Sequence, residues 1–74
     1  MSDCSGRTGQ EVIQALQKIG FRILQSRNNQ VYLRHPDGRC TTVAVHDGET
    51  IGPGQLALIL RDCELWRRHL VDLL

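Results

Sequence analysis

The feature that most constrains the fold is a tight-turn signal between two short runs of strand-forming residues. Residues 35–38 form this signal and have the sequence His-Pro-Asp-Gly. Proline presets the φ angle of the first central turn position, and glycine can adopt the positive φ that many turns need. The flanking runs, residues 30–35 and 40–45, alternate in part and are enriched in β-branched or aromatic residues. The sequence therefore predicts a tight antiparallel β-hairpin.

The residues before the hairpin predict a helix followed by a further strand. Thr8 with Glu11 three positions later is a capping-box signature, and apolar residues then recur at helical spacing. A helix over about residues 9–19 follows. Gly20 is typical of the left-handed residue that ends a helix, and residues 21–26 have the composition of a strand.

The residues after the hairpin predict two more helices. A turn-rich segment precedes an apolar stripe of helical period, which indicates a helix over about residues 54–62. Trp66, Leu70 and Leu73 then recur at helical spacing, so we expect a short third helix whose indole covers the edge of the core. The predicted class is α+β, with the order helix, three-stranded antiparallel sheet, helix, short C-terminal helix. Two helices cover one face of such a sheet and leave the other for solvent or a ligand.

Chain length and composition predict one small domain over residues 1–74, with residues 1–7 as a disordered tail. The chain is 41% hydrophobic and 23% charged, an ordinary composition for a globular protein. The longest apolar run, residues 56–60, is far shorter than the ~20 residues of a membrane span. The first residues lack the apolar stretch of a signal peptide. We therefore expect a cytoplasmic protein without a membrane partner.

The three cysteines indicate reduced thiols. Cys4, Cys40 and Cys63 are an odd number without a CxxC pair, which argues against a disulfide framework and a structural zinc site. Cys40 and Cys63 fall in apolar-periodic segments, so we expect both to be small buried hydrophobes, and Cys4 to lie in a frayed tail. A nucleophilic cysteine is the weaker alternative, because no neighbouring residue has the character of a paired base.

The formal net charge of +1 hides an uneven distribution of charge. Residues 18–39 contain five basic side chains and one acidic one, whereas residues 40–64 contain four acidic side chains and only Arg61 as a base. A basic block of this kind can attract phosphates. It can equally be a solvated strand face whose arginines prevent edge-to-edge pairing. Charge alone leaves both interpretations open.

Three segments of the chain resemble the HicA (YcfA-like) toxin family. They are TGQEVIQALQKIGFRIL, RHPDGRCTTVAVH and IGPGQLALILRDCEL, and the resemblance extends over residues 8–65. It implies a fold like that of a double-stranded-RNA-binding domain. It also implies a metal-independent endoribonuclease, an mRNA interferase without a cofactor, that is held inactive by a HicB-like antitoxin.

The resemblance also indicates where this chain departs from the family. The corner before the second strand usually ends in a histidine that is taken to be catalytic, and here Asn28, Asn29 and Gln30 occupy that corner. Counting back from the turn places Gln30 at the histidine position. A carboxamide does not exchange a proton near neutral pH, so we expect the nuclease activity to be weak or lost. Asn28 tolerates left-handed dihedrals, and Ala44 stands where the family has proline.

The histidines that remain are expected to have structural roles or none. His35 opens the hairpin and should cap or pack there, with a catalytic role as the weaker alternative. His46 ends the third strand and is interpreted as structural. His69 is expected to lie on the outside or edge of the terminal helix without a chemical role.

Two classes of function fit these features. The first is a HicA-like domain that binds structured or messenger RNA through the basic strands. Its phosphate-binding and base-binding side chains would be Arg22, Arg27, Asn28, Asn29, Gln30 and Arg34. The second is a protein-interaction module that binds an antitoxin-like acidic partner without RNA. Few aromatic residues are present, which favours structured RNA over stacked single strands. The oligomeric state stays open.

Overall fold

The computed structural model describes residues 6–46 and 48–74 and has the predicted α+β order. The residues of the predicted tail before Gly6, Cys4 among them, lie outside the described residues. Each of the first five elements begins and ends within one residue of its predicted position. The elements are α1 (Gly9–Lys18), β1 (Arg22–Arg27), β2 (Gln30–Arg34), β3 (Cys40–Ala44), α2 (Pro53–Cys63) and α3 (Arg67–Leu73). None of the helices in the described part of the chain has the length and apolar character to cross a membrane.

Local signals determine both ends of α1. The hydroxyl of Thr8 accepts a hydrogen bond from the Glu11 N–H at 3.2 Å, and the Thr8 N–H donates to Oε1 of Glu11 at 3.0 Å. This reciprocal pair is the predicted capping box. At the other end, Gly20 has a φ of +104°, and the N–H of Phe21 donates to the carbonyl of Leu16 at 3.2 Å. The helix therefore ends in a Schellman motif that needs the left-handed glycine.

The sheet is an antiparallel meander with β2 between β1 and β3. Val31 and Leu33 of β2 point into the core, whereas the intervening residues of that strand are exposed. A register shift between Ile23 and Gln25 leaves Leu24 as an extra residue, which is a β-bulge in β1. The inner sheet face is therefore buried on β2 and β3 but not on β1, whose residues are all exposed, and the other face is open as predicted.

The core lies between the buried sheet face and the helices. Thr41 is the buried polar residue of the core, and its hydroxyl donates to Oδ2 of Asp62 at 3.1 Å, which joins β3 to α2 and satisfies the hydroxyl. The core side chains from the helices and the sheet are Val12, Ile13, Ala15, Leu16, Phe21, Val31, Leu33, Val43, Ile51, Leu56, Ile59, Leu60, Cys63 and Leu70.

The hairpin between β2 and β3 forms at residues 35–38 as predicted. The N–H of Gly38 donates to the His35 carbonyl at 2.9 Å, and the His35 N–H donates to the Arg39 carbonyl at 2.7 Å. An oxygen of the Asp37 carboxylate accepts the Arg39 N–H at 3.0 Å. This bond is the main reason that the pKa of Asp37 is lowered.

The C-terminal helix differs from the prediction in one respect. We expected the indole of Trp66 to cover the core edge, but Trp66 is 69% exposed. The prediction was wrong because Trp66 precedes α3 as its N-cap, and the buried contact is made by Leu70 instead. The ammonium group of Lys18 also donates to the carbonyl of Leu73 at 2.7 Å, so the end of α3 is held against α1.

The two described cysteines have different environments. Cys63 is fully buried, and burial raises the pKa of its thiol to about 12, as suits an inert core residue. Cys40 was also expected to be a buried hydrophobe, but it is only partly buried. It is paired with Arg34 across the sheet, and Arg34 belongs to the exposed set of side chains on β2. Its strand position, at the start of β3, therefore directs Cys40 away from the core.

Candidate nucleic-acid interface

The corner between β1 and β2 is a two-residue hairpin turn. Arg27 pairs with Gln30 across the strands, and the two residues between them are both left-handed, with φ of +52° for Asn28 and +65° for Asn29. Positive φ at both central positions is the signature of a type I′ turn, which matches the twist of the flanking strands. Asparagine is among the few non-glycine residues that adopt this conformation readily. The Asn-Asn pair therefore makes a tight turn possible without glycine.

The hairpin register brings most of the predicted site residues onto the open face of the sheet. Gln30, Tyr32 and Arg34 alternate with the buried residues of β2, and their cross-strand partners share their face. We call this surface the outer sheet face. It consists of Arg22, Gln25, Arg27, Gln30, Tyr32, Arg34, Cys40, Thr42 and Ala44.

Two arginines of the outer sheet face lie directly opposite each other. Arg22 of β1 is the register partner of Arg34 of β2, and both are exposed. Like charges in directly opposite positions destabilise a strand pair. Edge protection is a common reason for arginine on an edge strand such as β1, but it does not explain Arg34, because β2 is the central strand. An anion bound between the two guanidinium groups would relieve the repulsion.

A polar cavity of about 370 Å³ lies at the other end of the same face. The cavity is next to the Asn-Asn turn, and Arg27 is the charged residue in its lining. The remaining side chains around it carry amide or hydroxyl groups. The lining residues are Gln25, Arg27, Asn28, Gln30, Tyr32 and Thr42.

The structure separates Asn29 from the other predicted site residues. Asn29 lines a different groove of about 400 Å³ between α1 and β1, together with Gln14, Ser26 and other residues. The adjacent Asn28 lines the cavity of the outer sheet face. Five of the six predicted residues are therefore on or beside the outer sheet face, and Asn29 is directed toward α1.

The residues of the polar cavity cannot exchange a proton readily at neutral pH. Gln30 carries an uncharged amide. The pKa of Tyr32 is raised, mainly by the interaction of its hydroxyl with the Cys40 thiol, so the phenol stays protonated and can donate a hydrogen bond. Among the described residues, no group of three or more histidine, cysteine or acidic side chains is arranged to hold a metal ion. The cavity thus offers hydrogen bonds and one positive charge.

His35 has a structural role at the turn between β2 and β3, at the end of the sheet opposite the Asn-Asn turn. Its Nε2 lies 2.9 Å from the carbonyl oxygen of Ile19, and its Nδ1 lies 3.1 Å from the backbone nitrogen of Asp37. Nδ1 is also 3.0 Å from an Asp37 carboxylate oxygen. The imidazole packs edge-on against Phe21, with ring centroids 5.1 Å apart. Both ring nitrogens are engaged, so His35 fastens the hairpin to the end of α1, as predicted.

The last two histidines lie away from the outer sheet face. His46 is exposed and lines a small cavity beside Gly9 at the start of α1. His69 accepts a hydrogen bond at Nδ1 from the backbone N–H of Trp66 at 3.3 Å, which helps to cap α3.

The sequence interpretation missed three residues of the polar cavity, namely Gln25, Tyr32 and Thr42. Alternation by two from Gln30 would have placed Tyr32 on the same face. Thr42 follows from the hairpin register, because it pairs with Tyr32. Gln25 follows in the same way from the register of the first hairpin, because it also pairs with Tyr32. The bulge at Leu24 shifts only the earlier residues of β1, Arg22 and Ile23, by one position.

The basic block of the sequence is also only partly available for a ligand. The Arg39 guanidinium donates to the carboxylate of Asp37 at 2.8 Å and to the carbonyl of Cys63 at 2.6 Å. It also lies over the ring of Phe21, 5.3 Å from the centroid. Arg39 therefore stabilises the fold, and the free positive charge of the outer sheet face comes from Arg22, Arg27 and Arg34.

Comparison with known proteins gives one informative result. A search of curated proteins finds no match to this chain. A family profile described as the HicA toxin of bacterial toxin-antitoxin systems matches residues 9–65, which include every strand and both longer helices. The match covers well over half of the chain, and it includes the Asn-Asn turn and the hairpin that follows. The chain therefore belongs to the HicA toxin family of bacterial toxin–antitoxin systems.

Proposed function

We propose that this HicA family member binds structured or messenger RNA on its outer sheet face and that its nuclease activity is weak or lost. The observation that carries the RNA-binding part is the exposed pair of Arg22 and Arg34, placed directly opposite each other on adjacent strands. Phosphate oxygens are the natural ligand for two guanidinium groups on opposite positions of one sheet face, since each group can donate two parallel hydrogen bonds. Arg27 supplies a third positive charge beside the cavity.

The weak activity follows from the chemistry of Gln30. RNA cleavage by a neighbouring 2′-hydroxyl requires a group that takes up a proton and another that releases one. The amide of Gln30 can orient a ribose hydroxyl but cannot remove its proton. Loss of proton transfer typically lowers a rate by about 10²- to 10⁴-fold.

An antitoxin partner is part of the same proposal. Membership of a toxin–antitoxin family supports a HicB-like partner in general. The alternative function is a module that binds only such a partner, in which case an acidic protein surface would meet the arginines. RNA phosphates are favoured, because the lining of the adjacent cavity is polar, whereas the centre of a protein interface is enriched in apolar and aromatic residues.

The test compares two variants that remove the same charge from different surfaces. Arg22→Gln with Arg34→Gln alters the outer sheet face, and Arg61→Gln with Arg68→Gln is the matched control on exposed positions of α2 and α3. Binding of an RNA hairpin is measured over a range of salt concentrations. We expect the sheet-face variant to lose affinity and its salt dependence to fall by roughly two units, one for each lost phosphate contact. The control should bind like the unmodified chain.

Cleavage is measured in parallel on a long messenger RNA with a chelator present. We expect little or no cleavage. Rapid cleavage by the unmodified chain would overturn the proposed loss of activity. If the sheet-face variant binds RNA as tightly as the control, the outer sheet face is not the RNA surface. If the unmodified chain binds no RNA even at low salt, the protein-interaction alternative is favoured.

A further inference from the structure

The one tyrosine of the chain lies at the centre of the outer sheet face. Tyr32 is on the central strand, between its cross-strand partners Gln25 of β1 and Thr42 of β3. Tyr32 is 38% exposed, and its neighbours on this face are polar or charged. Because Tyr32 is on the central strand, it does not serve to block pairing of a sheet edge with another chain.

The cavity beside Tyr32 has the dimensions of a small-ligand site. Its volume of about 370 Å³ is at the lower end of the range for pockets that hold small molecules. A cavity of this size can admit one nucleotide but not a segment of duplex. Binding of a paired RNA stem by the arginines and binding of one nucleotide in the cavity would therefore be separate events on the outer sheet face.

The lining groups match the hydrogen-bonding edges of a nucleobase. Gln25, Asn28 and Gln30 each offer one amide that both donates and accepts, and Thr42 adds a hydroxyl. Unpaired bases in RNA are recognised by stacking on an aromatic ring together with hydrogen bonds to their edges. Arg27, on the rim beside the turn, is placed to hold the phosphate of the same nucleotide.

We infer that this cavity holds a single unpaired nucleotide of a structured RNA, with its base against the ring of Tyr32. The inference rests on the proposed function, because it assigns a target feature to the same RNA-binding surface. Paired stem phosphates would contact Arg22 and Arg34, and a bulged nucleotide would occupy the cavity near Arg27. One aromatic ring suffices for one base, so the scarcity of aromatic residues is consistent with this target.

The experiment uses three short RNA hairpins and the full chain. The first has a fully paired stem, the second has one extra unpaired nucleotide in the stem, and the third has that nucleotide without its base. We expect the unmodified chain to bind the second about tenfold more tightly than the first, since stacking of a base on an aromatic side chain contributes strongly to affinity. The third should bind like the first, because its phosphate is present but its base is absent.

Two variants of Tyr32 separate stacking from packing. Tyr32→Phe keeps the ring and should keep the preference for the unpaired nucleotide. Tyr32→Leu keeps an apolar side chain of intermediate size and should bind all three hairpins equally. The comparison of the three RNAs on the unmodified chain remains decisive even if a variant does not fold.

The outcomes also separate this inference from the proposed function. Salt-dependent binding to the paired stem, with no preference for the unpaired nucleotide, would overturn the inference and leave the proposed function intact. Failure to bind any of the three hairpins at low salt would overturn both. Equal binding of the second and third hairpins would also overturn the inference, since the base would then contribute nothing.

Discussion

The proposed loss of nuclease activity is assigned to one residue, Gln30. It stands at the position where the family resemblance places a catalytic histidine, at the start of β2 and beside the polar cavity. Its neighbour Asn28 already has the left-handed conformation that a glycine would adopt at this corner. The turn therefore has a left-handed backbone at this corner, and the proposal assigns the weak activity to the absence of a titratable group at Gln30.

We predict that Gln30→His produces measurable RNA cleavage. Imidazole gains and loses a proton near neutral pH, so the substitution supplies the group that Gln30 lacks. The rate should rise more than tenfold above that of the unmodified chain, but rescue should be partial. A misplacement of about 1 Å can lower a rate by around 10²-fold. The measurement is cleavage of a long messenger RNA without metal.

The matched control for this experiment is Gln25→His. It places the same side chain in the same cavity, but on the neighbouring strand. Cleavage should respond to Gln30→His and not to this control. If the Gln30→His chain folds and binds RNA yet never cuts it, groups elsewhere in the chain have also been lost.

At the scale of elements, the turn between β1 and β2 depends on two asparagines with positive φ. We predict that Asn29→Ala lowers the free energy of unfolding by about 1 kcal/mol, because alanine is disfavoured in the left-handed region. Asn29→Gly should be neutral or stabilising, since Asn-Gly is the preferred type I′ pair. Both variants keep the Asn29 carbonyl that accepts the Val45 N–H at 2.7 Å.

Thermal unfolding measures the difference between these two variants. A change of 1 kcal/mol corresponds to about 4–8 °C in a domain of this size. Equal melting temperatures for the alanine and glycine variants would show that the left-handed conformation does not limit the stability of this turn.

The capping box of α1 makes stability depend on pH. The pKa of Glu11 is lowered from its ordinary value of 4.5, first by the hydrogen bond from the Thr8 backbone and then by the Arg7 guanidinium, 3.0 Å away. A lowered carboxyl pKa stabilises the folded state above the ordinary value. That contribution is lost as pH falls through the lowered pKa.

We therefore predict that Glu11→Gln destabilises the chain at neutral pH and has a smaller effect in acid. Melting temperatures of both chains are measured between about pH 7 and pH 3, and the difference between them should shrink below the ordinary Glu pKa. A difference that is constant with pH would mean that the charge of Glu11 does not contribute to the cap.

At the scale of the whole molecule, α3 extends the core beyond the part matched by the family profile. The profile ends at residue 65, whereas α3 covers Arg67–Leu73 and packs against α1. Leu70 is fully buried and belongs to the same core cluster as the residues of α1 and α2. The C-terminal helix is thus a structural part of this domain.

We predict that Leu70→Ala destabilises the chain by about 2–5 kcal/mol, the usual cost of removing a buried leucine side chain. Trp66→Ala is the control, and it should change stability by no more than about 0.5 kcal/mol because the indole is exposed. Urea unfolding measures both. Similar small effects for the two variants would show that α3 unfolds independently of the core.

The order of elements and their ends could be predicted from the sequence because the signals are local. The capping box connects Thr8 and Glu11, the Schellman motif depends on Gly20, and the turn at residues 35–38 carries its own dihedral preferences. Each of these signals acts over about one turn of chain, so the residues involved are neighbours in any fold. Apolar periodicity then identified the buried faces of α1 and α2, and in α3 it identified Leu70 but wrongly included Trp66.

The composition of the candidate site could be derived only from the tertiary structure. The bulge at Leu24 brings Arg22 onto the face of Arg34, and the left-handed turn directs Asn28 and Asn29 to opposite sides of the sheet. Arg39 lies in the basic block of the sequence, yet it bonds to the Cys63 carbonyl, 24 positions away. Strand register and packing between distant segments decide these positions, because they determine which side chains share a face and which are used to hold the fold together.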